Sequence, residues 1–253
     1  MKSIRAFAIP VALIVIWEAI FRFRDVQSDT LSTPSRIVVA LVQGLGDGSM
    51  LTATGDTLAA GGLGLLLGSV LGVVVGTLFG LVPVVSRGLR LTFELLRPIP
   101  AIAIVPVAIL IFGFGYAMET AIVAFACFFP VTILAEAAIR QVPPRLSEVS
   151  RALQMPLAAR LFKILLPAAL PRLFVALRLA VGIALIVAVT VEIAANPMGL
   201  GQRLMLAGSS LRPADMFATL IWVGLLGWVL NLGLVKAQHV LFPRMAGSSD
   251  AAT

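Results

Sequence analysis

Long apolar runs separated by short polar connections organise this chain. Runs at about 5–23, 55–83, 89–112, 118–140, 170–195 and 216–240 come close to or exceed the ~20 residues that a helix needs to cross a hydrocarbon core. The pattern predicts an all-α integral membrane protein of about six transmembrane helices, a single domain over 1–253. Between the first two runs, residues 31–48 change character. Thr33 or Ser32 is placed to cap a helix, Pro34 suits its first turn, and Ile37, Val38, Leu41, Val42 and Leu45 share one face. That spacing predicts an amphipathic extracytoplasmic helix lying along the membrane surface.

The connection at 141–170 carries the strongest functional signal. Pro143 and Pro144 end the fourth run, and Ser147 is placed to cap a short helix. Its apolar face is Val149, Ala152, Leu153 and Met155, beside Glu148, Arg151 and Arg160. Pro156 breaks that helix. A second one, through Leu161, Phe162 and Leu165, is expected to end at Leu166-Pro167, with Pro171 restricting entry to the fifth run. A charged amphipathic helix wedged between two membrane spans needs a partner to face.

Composition narrows the classes. Sixty per cent of the residues are apolar and 12% charged, far from a soluble domain. The net charge of +7 is scattered between apolar spans and not interleaved with exposed aromatics, which argues against nucleic acid. Lys2 and Arg5 ahead of the first run imitate a secretory signal. No small-residue cleavage site follows, and Trp17-Glu18 with Arg22 and Arg24 read as the interfacial end of a retained helix. The lone Cys127 has no partner for a disulfide and no metal-ligand spacing, so it reads as a small core residue; the single histidine, His239, reads as interfacial.

Basic residues set the orientation. With the amino terminus inside, only Arg22, Arg24, Arg36, Arg203 and Arg212 fall outside, leaving fourteen of the nineteen Lys and Arg on the inner side. Both termini and 141–170 are then cytoplasmic. The chain has no GxxxxGK followed by Ser or Thr, so any ATP hydrolysis belongs to another chain. In the second run, Gly64, Gly68, Gly72, Gly76 and Gly80 form a stripe along which a helix can approach closely, read more readily as packing within one subunit than as a dimer seam.

The stretch from Glu148-Val149-Ser150 to Ile164-Leu165-Leu166-Pro167 resembles the cytoplasmic signature of ABC importer permeases, a glutamate with two small residues followed at fixed distance by I-x-L-P. Glu136-Ala137-Ala138 is the literal tripeptide but stands at the wrong distance. Gln154 occupies the position that is usually glycine, which leaves proline to set the turn. Other stretches resemble the taurine, aliphatic sulfonate, nitrate and bicarbonate branch: 31–35, Arg97-Pro98-Ile99-Pro100, the turn at 112–115, Phe128-Phe129-Pro130, Leu177-Arg178 with Gly182, and Gly199-Leu200-Gly201.

The resemblance implies a type I importer transmembrane domain in the bacterial inner membrane, working by alternating access, without a cofactor of its own. It implies two cytoplasmic ABC ATPase subunits that hold ATP and Mg, a second permease copy, a solute-binding protein outside, and surrounding lipid. Glu148, Ser150, Arg151, Ala152, Leu153, Gln154, Met155, Pro156, Arg160, Leu166 and Pro167 would couple to the ATPase. Arg97, Pro98 and Pro100, which remove backbone donors within the third run, and Glu192 with Asn196, polar residues in the fifth, are candidates for the pathway or its gate. Glu192 reads equally well as a satisfied interfacial acid. Glu94 and Arg97 are spaced to pair on one helix face. A secondary transporter is the rival reading, and it would do without the docking helix.

Overall fold

The computed structural model describes residues 2–23 and 30–241, and these form helices and turns only. The side chains of Lys2, Arg5 and Ser147, and all of Arg24, Arg244 and the polar end 247–253, lie outside the described residues. In chain order the helices are α1 (Lys2–Phe23), α2 (Pro34–Gly46), α3 (Ser49–Leu81), α4 (Pro83–Leu96), α5 (Val105–Phe112), α6 (Tyr116–Arg140), α7 (Pro144–Ala152), α8 (Leu157–Arg160), α9 (Leu166–Ala194), α10 (Gly199–Ser209) and α11 (Pro213–Leu241).

Among the described residues, four helical stretches are long and apolar enough to cross a bilayer, α3, α6, the continuous 38 residues of Leu157–Ala194, and α11, and a bent pair makes a fifth, against the six expected. The third run, expected as one span in which Pro98 and Pro100 kink the helix for packing or free carbonyls to line a path, is broken outright. α4 and the segment Ala101–Phe112 meet at 83°, because Pro98 and Pro100 remove two hydrogen-bond donors within three residues. Topology makes this broken pair a crossing. Gly64 packs on Val123, Gly72 on Val131 and Gly80 on Ile139, so α3 and α6 run parallel, and the chain between them must return across the bilayer.

The glycine stripe is a seam within the subunit. A Cβ at Gly64 would stand 2.6 Å from the Val123 Cβ, and one at Gly80 2.7 Å from the Ile139 Cγ2. Against the same pair, α9 lays its small-residue face antiparallel: Ala180, Ala184 and Ala188 are buried with Val123, Cys127 and Val131. Close backbone approach, not bulky side chains, holds this three-helix core.

Several local expectations are revised. The prolines at 167 and 171 do not end a helix. A π-helical turn at Leu161–Leu165 precedes Pro167, with the Leu166 N–H reaching back to the Leu161 carbonyl, and the wider turn absorbs the missing donors so that α8 runs on into α9. In α2, Thr33 is the cap, accepting from the Arg36 N–H at 3.4 Å. Its buried face is Ile37, Ala40 and Gly44, with Val38 and Val42 exposed, since the smaller residues allow α11 to approach. α7 begins at Pro144, so Ser147 lies inside the helix and does not cap it. Glu94 pairs with Arg90 at 3.0 Å, not with Arg97, which has already left α4.

Candidate functional site

At the end of the molecule formed by Gly80, Arg140 and Leu165, α7 makes a hook between α6 and α8. Pro143 and Pro144 open it and Pro156 closes it. Ser150 is buried, whereas Glu148, Arg151, Ala152 and Gln154 are exposed. Val149 (53%), Leu153 (67%) and Leu157 (63%) stand out beside them, an apolar strip with no neighbour among the described residues to cover it. Beneath the hook, Arg140, Glu148, Arg151 and Arg160 line a cleft of about 410 Å³.

Gln154 makes the turn itself. Its φ is +50°, the left-handed region that a glycine enters at no steric cost. The Gln154 N–H donates to the Arg151 carbonyl at 2.9 Å and the Met155 N–H to the Ser150 carbonyl at 3.0 Å, the paired bonds of a Schellman closure. The expectation that proline replaces glycine here is corrected: the glutamine adopts the glycine conformation, and Pro156 follows it. Leu166 and Pro167 lie at the start of α9, so the hook is joined to a membrane-crossing helix without a flexible link.

The literal Glu136-Ala137-Ala138 string has a separate, structural task. The Glu136 carboxylate accepts from Arg140 at 2.6 Å and from Ser86 Oγ at 2.8 Å, tying α4 to α6.

At the opposite end, Glu192 and Asn196 are fully enclosed. The Gly201 N–H donates to Glu192 Oε2 at 2.7 Å and the Leu200 N–H to Thr57 Oγ1 at 3.0 Å, satisfying the first turn of α10. Asn196 Nδ2 donates to Glu119 Oε2. Glu119, at 1% exposure, was not among the sequence candidates. Its position three residues into α6, after the Gly113-Phe114-Gly115 turn, is the signal that would have found it. Nearby, Tyr116 donates to Asp56, and Asp56, Arg203, Arg212 and Asp215 line an open cleft of about 480 Å³. The hydroxyl and then the N–H of Ser49 donate to Asp47 and hold its carboxyl below the usual aspartate range, while Arg203 donates to that same hydroxyl at 2.7 Å. Arg97, Pro98 and Pro100 are exposed at the break between α4 and α5, and Arg97 lines a cleft with Glu136 and Arg140.

A parallel helix pair, a broken crossing and an uncovered hook on an unbroken span define a multi-pass transport subunit. The chain belongs to the family of binding-protein-dependent transport system inner membrane components, whose sequence profile it matches over residues 64–247. It is 31% identical over 223 residues to the candidate aliphatic sulfonates transport permease SsuC of Bacillus subtilis, covering 88% of this chain and 81% of that one. To the taurine transport system permease TauC of Escherichia coli it is 27% identical, covering 91% and 86%. The fold is that of the MetNI methionine ABC transporter in inward-facing conformations, with a TM-score of 0.68 at 21% identity over 83% of this chain and 99% of the other. Its relatives are transport permeases.

Proposed function

We propose that this permease imports a small organic or inorganic anion, a sulfonate, taurine, nitrate or similar solute, by alternating access powered from outside the chain. Two copies enclose the path, each ending on its cytoplasmic side in the hook at 148–156. Two ABC ATPase subunits dock there and hold the ATP and Mg; this chain holds no cofactor. An extracytoplasmic binding protein delivers solute at the α2 and α10 end, and both termini are cytoplasmic. The names of the relatives support the anion class.

One observation carries the reading: Val149 on α7, Leu153 at its end and Leu157 at the start of α8 are exposed beside Arg151 on a hook that Pro143, Pro144 and Pro156 frame. A membrane protein has no reason to leave such a strip bare in water unless a partner covers it. When ATP draws the partner subunits together, force on α7 passes through Leu166 and Pro167 into α9, biasing the bundle between its two states. Arg97, Pro98 and Pro100 at the broken crossing, and Glu192 with Asn196 at the far end, are the candidate gate elements.

Purification of the tagged permease in mild detergent, with its genomic neighbours co-expressed, tests this. Retention of an ATPase and ATP-dependent uptake are the expected results. Uptake driven by an ion gradient with no ATPase retained would establish the secondary-transporter alternative instead.

A further inference from the structure

α9 buries its alanine face, and its opposite side is open. Arg178, Gly182, Ile186 and Thr190, spaced by four, are all exposed, Ile186 at 69%. A Cβ at Gly182 would meet nothing within 4 Å. An apolar stripe of this kind ordinarily faces lipid, but this one begins with an arginine. Arg178, which the count of basic residues assigns to the inner side, stands two residues before Ala180, whose carbonyl meets Cys127 near the middle of the 25-residue α6, and so lies at mid-span.

Arg178 is also anchored sideways. Its Nε donates to Asn231 Oδ1 of α11 at 3.0 Å, a second polar residue at matching depth. That bond uses one of five guanidinium N–H donors and leaves both Nη groups for another acceptor. Arg172, by contrast, lies six residues nearer the hook and donates to the Gln141 carbonyl at 3.2 Å, where an interfacial arginine belongs. A cation held at that depth, with most of its donors uncommitted, marks a water-filled passage and not an acyl chain.

Building on the importer reading, we infer that the open α9 stripe lines the solute passage between two permease copies, and that Arg178, oriented by Asn231, is its anion-selecting residue. Two copies related by a twofold axis place a pair of guanidiniums around one passage. Such a pair attracts any small oxyanion and repels cations. Selection by charge alone suits a subunit that receives solute already chosen by a binding protein.

The test needs no knowledge of the solute. Cys127 is completely buried, so the parent chain offers a silent background for single cysteines placed at Gly182, Ile186 and Thr190. In membranes holding the assembled complex, modification rates are measured with 2-sulfonatoethyl methanethiosulfonate, an anion, and its trimethylammonium counterpart. All three positions are expected to react. Relative to the same variants carrying Arg178→Gln, the anion-to-cation rate ratio should be higher by about tenfold at Gly182→Cys, less at Ile186→Cys and least at Thr190→Cys, following distances along the helix of roughly 6, 12 and 18 Å. Where Arg178→Gln prevents assembly, ionic strength serves instead: raising salt to about 1 M should collapse the ratio at Gly182→Cys. Positions that react only with membrane-permeant N-ethylmaleimide would place the stripe in lipid and overturn the proposal. A ratio indifferent to both Arg178→Gln and salt would remove Arg178 from it. Because labelling reads the passage and co-purification reads the ATPase, failure of either inference is visible separately.

Discussion

Asn196 donates its side-chain amide to Glu119 and so joins the far ends of α6 and α9 where neither residue meets solvent. Glu192, one turn earlier, anchors the first turn of α10 through the Gly201 N–H. Three polar side chains thus replace the apolar contacts that hold the rest of the core. Removing one leaves a buried partner unsatisfied, which costs about 1–3 kcal/mol. Glu192→Ala should therefore lower the thermal midpoint in detergent, while Glu192→Gln, which keeps an acceptor for Gly201, should lower it less. Equal effects would show that the hydrogen bond to α10 contributes nothing.

The glycine stripe yields a contrast between two positions on one helix. A Cβ at Gly72 would lie 2.9 Å from the Val131 Cβ and 3.0 Å from the Phe128 carbonyl, whereas one at Gly62 would meet nothing within 4 Å. Gly72→Ala is expected to cost about 1–3 kcal/mol through overpacking, and Gly62→Ala to stay within about 0.5 kcal/mol. Thermal stability of the two purified variants decides it.

How much of this was legible beforehand differs by feature. Hydropathy located α3, α6, α9 and α11 because each is a continuous apolar run, and the prolines at 143, 144 and 156 framed the hook. The break in the third run was foreshadowed by Pro98 and Pro100, yet its angle depends on packing against α6 and α9. The continuity of α8 into α9 was hidden, since a π-helical turn has no sequence signature strong enough to outweigh Pro167 and Pro171. Glu119 was missed for a related reason: a lone acid near a helix start looks like an ordinary charge favourable to the helix dipole, and only the fold brings Asn196 to it.

The exposed strip on α7 predicts a separation of assembly from insertion. Arg151→Glu together with Leu153→Asp changes two residues that the chain itself leaves uncovered. Membrane insertion and thermal stability of the isolated permease should be unchanged, whereas ATPase association should be lost. Quantitative pull-down with the unaltered permease as reference provides the measurement, and undiminished association would move the docking surface off α7.

Gln154 offers the sharpest test of how the hook is shaped. A residue with a Cβ at φ +50° bears a steric cost of roughly 1 kcal/mol that glycine escapes. The chain accepts that cost a second time at Leu211, φ +51°, where the Arg212 N–H reaches the Ala207 carbonyl at 2.9 Å and Pro213 follows. In both places a left-handed residue closes one helix and a proline stands two positions beyond. Gln154→Gly should therefore keep the fold and relieve local strain, offset in part by the greater freedom of glycine in the unfolded chain. Gln154→Val should raise the strain, because a β-branched side chain tolerates this region least. Amide hydrogen exchange at Gln154 and Met155, whose N–H groups form the closing bonds, is the readout. Protection is expected to be preserved or increased in the glycine variant and reduced in the valine variant. The reverse order would mean that the turn is held by its prolines and that the conformation of residue 154 is incidental.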